Sequence, residues 1–177
     1  MAMYFKIKKT NSEQRWGRSC FFGCPDLPRK YLSKVGDDEI FIAQINLLEL
    51  REYNNSYLLP GQGILYFFYD IEKNVPIIRY NDQNKYNEKE FARVDFNDII
   101  DFHYDIIQEY LVIPQNEVSK NGMLIEDEKL RLGEIVLLRI CVQDPHYNND
   151  NVSYDFIVNK DDLLNRDYTK VRIATNH

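Results

Sequence analysis

Asp101-Phe102-His103-Tyr104-Asp105 is the stretch of this chain best composed for chemistry. On a strand, Asp101, His103 and Asp105 share one face, because successive side chains alternate across a sheet. Two carboxylates and an imidazole on one face offer oxygen and nitrogen donors to a divalent metal. The same three residues also make an ordinary polar outer face on a half-buried strand. No second cluster of donors accompanies them, so Asp101, His103 and Asp105 stand as a candidate metal set beside that plainer reading. Cys20 and Cys24 have the spacing of half a zinc site. The third cysteine is Cys141 and no histidines are suitably paired, so these thiols read as small apolar core groups.

Nucleophilic catalysis needs a Ser or Cys with a base and an orienting acid. Ser19 and Cys20 lie near a bend, without a nucleophile elbow around them. Pro60-Gly61-Gln62-Gly63 is too short to cradle phosphate and reads as a turn. Carboxylates are so abundant that no acid/base pair stands out. No catalytic set is assigned and no cofactor is implied.

Four residues are candidates for binding. Gln44 interrupts the apolar run IFIAQI. If that run is buried, the amide needs partners, since an unpaired buried amide costs on the order of 1–3 kcal/mol. Gln44 either ties a neighbouring loop's backbone into the core or lines a ligand cleft. Trp16 and Arg18 are residue types that anchor interfaces, although a lone Trp also seals the end of a sheet. Asp26 sits in the bend Cys24-Pro25-Asp26-Leu27-Pro28, where it can accept from nearby amides.

The elements that must position these residues centre on Glu39 to Asp70. Two short runs, IFIAQI and GILYFFYD, are rich in Ile, Phe and Tyr and suit a pleated surface buried on both faces. The pattern predicts core strands over Glu39–Leu50 and Ile64–Tyr69, with a helical turn capped by Asn46 at the end of the first. A third strand follows over Val75–Tyr80, with Pro76 placing it at an edge. Asn81–Glu90 reads as surface loop. Val94–Asp105 fits helix and strand equally, and Ile107–Ile113 is expected to be extended up to Pro114. Gln115–Leu132 reads as charged loop. Strands are expected over Glu134–Gln143 and Val152–Val158, then a short helix over Lys160–Leu164 with acids near its positive end. Glu39–Asn46 resembles Glu134–Cys141, and Ile64–Asp70 resembles Val152–Val158. This suggests two similar β units packed together, in halves 1–90 and 91–177.

A chain of 177 residues with 44% hydrophobic content can bury one core without staples, so a single domain over 1–177 is expected. The net charge of −6 opposes nucleic-acid binding, which wants a cationic face. An acidic surface fits solubility or a basic protein partner. No apolar run reaches the roughly 18 residues of a membrane span. The start MAMYFKIKK lacks a signal core, and an odd number of cysteines suits a reducing compartment, so the expected location is the cytoplasm.

The bend GCPDLP (Gly23 to Pro28), the strand IFIAQINLLEL (Ile40 to Leu50) and LLPGQGILYFFYD (Leu58 to Asp70) resemble, in order and spacing, the YwqG-like family of bacterial proteins. The tail Tyr154 to Val171 is similar to that family's closing segment. The resemblance implies a mainly-β cytoplasmic fold of unestablished role and brings no catalytic residues. Phe22 departs from a glycine often found before Gly23. Arg139 stands where the second such strand carries glutamine, and the Asn/Asp run Asn148–Asn151 replaces a glycine-rich loop.

The expected fold is mainly β, a single domain of antiparallel sheets with few short helices. The favoured function is a non-enzymatic cytoplasmic binding or protein-interaction module. The alternatives are a metal-dependent enzyme or metal-binding protein using Asp101, His103 and Asp105, and an acidic immunity-type inhibitor of a basic toxin.

Overall fold

The structure, a computed structural model, describes residues 2–9, 15–53, 57–83, 85–94, 110–143 and 151–176. It is mainly antiparallel β, with two short α-helices among the described residues. In chain order the strands are β1 (Met3–Lys9), β2 (Cys20–Phe21), β3 (Asp26–Pro28), β4 (Glu39–Asn46), β5 (Ile64–Asp70), β6 (Val75–Asn81), β7 (Phe91–Arg93), β8 (Tyr110–Gln115), β9 (Asn121–Ile125), β10 (Glu134–Gln143), β11 (Asn151–Asn159) and β12 (Arg172–Asn176). The helices are α1 (Arg29–Leu32) and α2 (Lys160–Leu164). The chain divides into two compact units. The first comprises Ile7–Arg51 and Pro60–Ile113; the second comprises Met1–Lys6, Glu52–Leu59 and Pro114–His177.

In the first unit the strand order is β8-β2-β4-β5-β6, with β3 and β7 paired as a separate two-stranded sheet. β5 is apolar on both faces and buried on both: Ile64, Tyr66 and Phe68 on one, Leu65 and Phe67 on the other. The β4–β5 register carries a bulge between Phe41 and Ala43. Phe41 pairs with Phe68, whereas Gln44 pairs with Tyr66 and Asn46 with Ile64. Strict alternation from Phe41 would put Ala43 and Ile45 on its face. The extra residue, Ile42, instead turns Gln44 and Asn46 to that face. Phe41, Tyr66 and Phe68 share a core cluster with Leu27, and Tyr31, Val35, Ile77, Tyr86 and Val94 pack against it. Phe22, just beyond β2, is left-handed at φ 57° and donates its N–H to the Ile42 carbonyl at 2.8 Å, stapling the bulge. Glycine adopts this conformation freely; for phenylalanine it stores about 1 kcal/mol or more of strain.

In the second unit the order is β12-β11-β10-β9-β1. Here β10 and β11 also shift register, between Val136 and Leu138, so that Arg139 faces Asp155. Leu124, in β9, is left-handed at φ 52°. Val136, Ile125 and Ile157 form a core cluster that Ala2, Leu130 and Ala174 close. Asn159 caps α2 by accepting from the Asp161 N–H at 2.9 Å, and Asp161 and Asp162 lie in its first turn as expected from the helix dipole.

Several boundaries differ from expectation. Asn121–Ile125, expected as charged loop, is the fully buried strand β9. Within β9, Gly122 lets β1 come close: the Met3 carbonyl oxygen lies 2.4 Å from where a Cβ would stand. The bend at Asp26–Pro28 is a short strand, since prolines that hold φ extended also suit a ladder edge. β4 stops at Asn46, after which Asn46 caps a turn by accepting from the Leu48 N–H at 3.0 Å. β8 runs through Pro114 to Gln115. Val94 packs on the first unit's core; 95–105 lie outside the described residues.

Candidate functional site

The bulge in β4 and the pairing of β3 with β7 bring four polar side chains under the segment Trp16–Ser19. Asp26, Gln44 and Asn46 are buried, and Glu49 is mostly so. Each is committed to that segment's backbone. Gly17 N–H donates to Asp26 Oδ2 at 2.7 Å, and Asn46 Nδ2 donates to the Gly17 carbonyl at 2.7 Å. Gln44 Nε2 donates to the Arg18 carbonyl at 2.7 Å, and Ser19 N–H donates to Glu49 Oε2 at 2.9 Å. The Ser19 hydroxyl oxygen in turn accepts the Asn46 N–H at 2.9 Å. Three consecutive residues are thus clamped as a strap. The geometry also needs Gly17 itself: φ is 73°, and an added Cβ would stand 2.3 Å from the Tyr86 ring.

Asp26 is the hub. Its carboxylate accepts from Arg93 Nε at 2.8 Å and Nη2 at 3.2 Å. Its N–H donates to Gln44 Oε1 at 2.8 Å, and its carbonyl accepts from the Tyr66 hydroxyl at 2.8 Å. Such a fork-shaped arginine pair is stronger than a single ion contact. The Arg93 guanidinium also lies 4.8 Å from the centre of the Trp16 ring, a cation–π contact. Burial pushes the Tyr66 phenol far up, with Tyr86 and Asp26 adding to it. Burial, and then the Glu49 carboxylate, push the Tyr86 phenol up to about 12. Both stay neutral donors at ordinary pH.

At the strap's outer edge, Glu49 Oε1 faces two arginines. Arg15 Nη2 is at 3.2 Å and Arg18 Nε at 4.0 Å. The Arg18 Nε is shielded from water yet has no hydrogen-bond partner among the described residues, while its side chain as a whole is 35% exposed. A donor left so carries a desolvation cost that no hydrogen bond offsets.

The match that places the chain begins inside this strap. A family model described as a domain of unknown function (DUF1963) covers residues 19–133, more than half of the chain. This chain belongs to the DUF1963 family. A comparison with curated proteins returned no match. Within the DUF1963 match lie the clamp residues Asp26, Gln44, Asn46, Glu49, Tyr66 and Arg93; Trp16, Gly17 and Arg18 precede it.

The structure brings all four binding candidates of this DUF1963 chain, Gln44, Trp16, Arg18 and Asp26, into one cluster. Gln44 ties a loop's backbone into the core, with both ends of its amide engaged. Sequence reasoning missed Asn46, Glu49, Tyr66, Tyr86 and Arg93 as members. Asn46 was legible only as a turn cap, and Arg93 belongs to a three-residue strand with no periodicity to betray it. The metal candidates Asp101, His103 and Asp105 lie outside the described residues; among those described, no group of three His, Cys, Asp or Glu is placed to hold a metal ion. Among the described residues, no helix is long and apolar enough to cross a membrane. Cys20 is buried in the first unit's core cluster beside Leu27 and Tyr66.

Arg139, where the resemblance called for glutamine, forks onto Asp155, with Nε to Oδ1 and Nη2 to Oδ2 both at 2.7 Å. It also reaches Asp127 Oδ2 at 3.1 Å. Arg139 and Asp155 stand at the register step of β10–β11 that Gln44 and Tyr66 hold in β4–β5. A part-buried ion pair fills one position and a neutral amide–phenol pair the other.

Proposed function

We propose that this DUF1963 chain is a non-catalytic, YwqG-like binding module of the cytoplasm, whose recognition surface is the clamped strap Trp16–Ser19. One observation carries the reading. Asp26, Gln44, Asn46 and Glu49 each make a hydrogen bond to the backbone of three consecutive residues, Gly17 to Ser19. Trp16 and Arg18, the two side chains that flank Gly17, meanwhile keep part of their surface in water. A loop held in its bound conformation loses little entropy on association, and Trp and Arg are the residue types that dominate interface energies. The carboxylates of Asp26 and Glu49 are engaged by donors, an arrangement suited to holding a backbone rather than to moving protons. The corresponding bulged registers in β4–β5 and β10–β11 support reading the two hairpins as copies of one pattern.

The test is a comparison of the wild type with Trp16→Ala and Arg18→Ala in its native cell. A partner that the wild type retains, that both variants lose, and that rebinds when both proteins are pure supports the reading. An unchanged set of partners, with both variants folded, defeats it. The acidic-inhibitor alternative draws on the net charge of −6. It places a basic partner on exposed carboxylates, so binding would survive Trp16→Ala and fail in high salt.

A further inference from the structure

We infer that the strap takes an acidic peptide segment of a partner protein, with a carboxylate seated against Arg18. The inference rests on the binding-surface reading and names the partner's chemistry. The chain as a whole is acidic, but this edge is not. Arg15 and Arg18 both approach a single oxygen of Glu49, whose other oxygen is taken by the Ser19 N–H. One carboxylate therefore faces two guanidinium groups, and one positive charge is left over. The side chain of Arg15 is 75% exposed and that of Arg18 is 35% exposed, so this excess is presented to solvent.

The second observation is that the Arg18 Nε is closed off from water, with no hydrogen-bond partner among the described residues, while the side chain as a whole keeps 35% of its surface exposed. The contact to Glu49 at 4.0 Å is too long to satisfy it. The terminal nitrogens of a planar guanidinium are the donors that bind carboxylates through paired hydrogen bonds. Beside it, Trp16 supplies a flat apolar surface fixed from behind by Arg93. An aromatic face next to a cation suits a peptide that alternates apolar and acidic side chains. Long polyanions such as nucleic acids are opposed by the net charge of −6.

Trp16 is the single tryptophan, so its fluorescence reports on this surface alone. The experiment titrates the full chain with an octaglutamate peptide, an octalysine peptide and inorganic phosphate. The expected result is a saturable change with octaglutamate only. Arg18→Gln should weaken it about tenfold, the equivalent of one charged hydrogen-bond pair. Glu49→Gln, which removes the competing carboxylate, should tighten it several-fold. Raising the salt from about 50 mM to about 500 mM should weaken it. No saturable change with octaglutamate, or equal affinity in Arg18→Gln with its circular dichroism intact, overturns the inference. Saturation by phosphate at the same affinity overturns it too, since the site then reads charge and not a peptide. Saturation by octalysine alone overturns the acidic partner while leaving the binding surface standing.

Discussion

Gln44 and Tyr66 face each other across β4 and β5, and both end on the backbone of Asp26. The Gln44 Oε1 accepts its N–H and the Tyr66 hydroxyl donates to its carbonyl, each at 2.8 Å. A cross-strand pair of one sheet thereby holds β3, the neighbouring two-stranded sheet's strand, at a fixed height. The same Gln44 amide holds Arg18 through its nitrogen. A side chain that is 1% exposed thus positions both the hub and the strap.

Gln44→Ala leaves the Asp26 N–H and the Arg18 carbonyl without this partner. Each orphaned buried group costs about 1–3 kcal/mol, so urea unfolding should show a loss of about 2–4 kcal/mol with an unchanged denaturant slope. A loss below about 0.5 kcal/mol would mean that water replaces the amide and that the strap does not depend on it.

Gly17→Ala tests the clamp from the other side. The left-handed φ of 73° penalises any side chain, and the new methyl would stand 2.3 Å from Tyr86. The expected outcome is a destabilisation of about 2 kcal/mol or more, accompanied by a changed Trp16 emission maximum. Normal stability with an unshifted spectrum would show that the strap is free to move.

Arg139→Gln installs the residue that the family resemblance called for. It also removes two short hydrogen bonds from the Asp155 carboxylate, which is 3% exposed. Breaking a buried pair on one side typically costs about 3–5 kcal/mol, whereas replacing both partners by apolar groups is often close to neutral. Chemical denaturation should therefore find Arg139→Gln far less stable than the double variant Arg139→Leu with Asp155→Leu. The reverse order would show that the ion pair itself, rather than the avoidance of an isolated charge, stabilises this hairpin.

Acid should loosen the second unit. The Lys129 N–H, and then the Arg139 guanidinium, hold the Asp127 carboxyl below its ordinary value. The Arg172 guanidinium does the same for Glu134. Groups depressed in the folded state bind protons more readily when unfolded. Their contribution is complete above the ordinary carboxylate values of about 4 and is lost as pH falls through the lower folded values. Urea midpoints should stay flat from about pH 7 to 5 and fall below about pH 4, and Asp127→Asn should flatten part of that fall. An identical acid profile in Asp127→Asn would remove Asp127 from the account.

Much of the framework was legible in the residues because burial on both faces demands continuous apolar runs. ILYFFYD and EIVLLRICVQ have no polar face to show to water, and both are core strands. Pro76 and the acids Asp161 and Asp162 were readable for local reasons, one lacking a ladder donor and the others suiting the positive end of a helix. Asn121–Ile125 was not readable, because the charged residues around it mask a short run that is buried only once β1 and β10 flank it.

The amino-acid order alone determined which segments must hide from water, and hence a mainly-β protein with Gln44 in need of partners. Only the folded chain decided who those partners are. The bulge at Ile42 exchanges the faces of every residue after it, and an alternating pattern carries no mark of where such an extra residue falls. Asp26, Glu49, Tyr66 and Arg93 are far apart in sequence, and hydrogen bonds of a few ångströms exist only once the strands are paired.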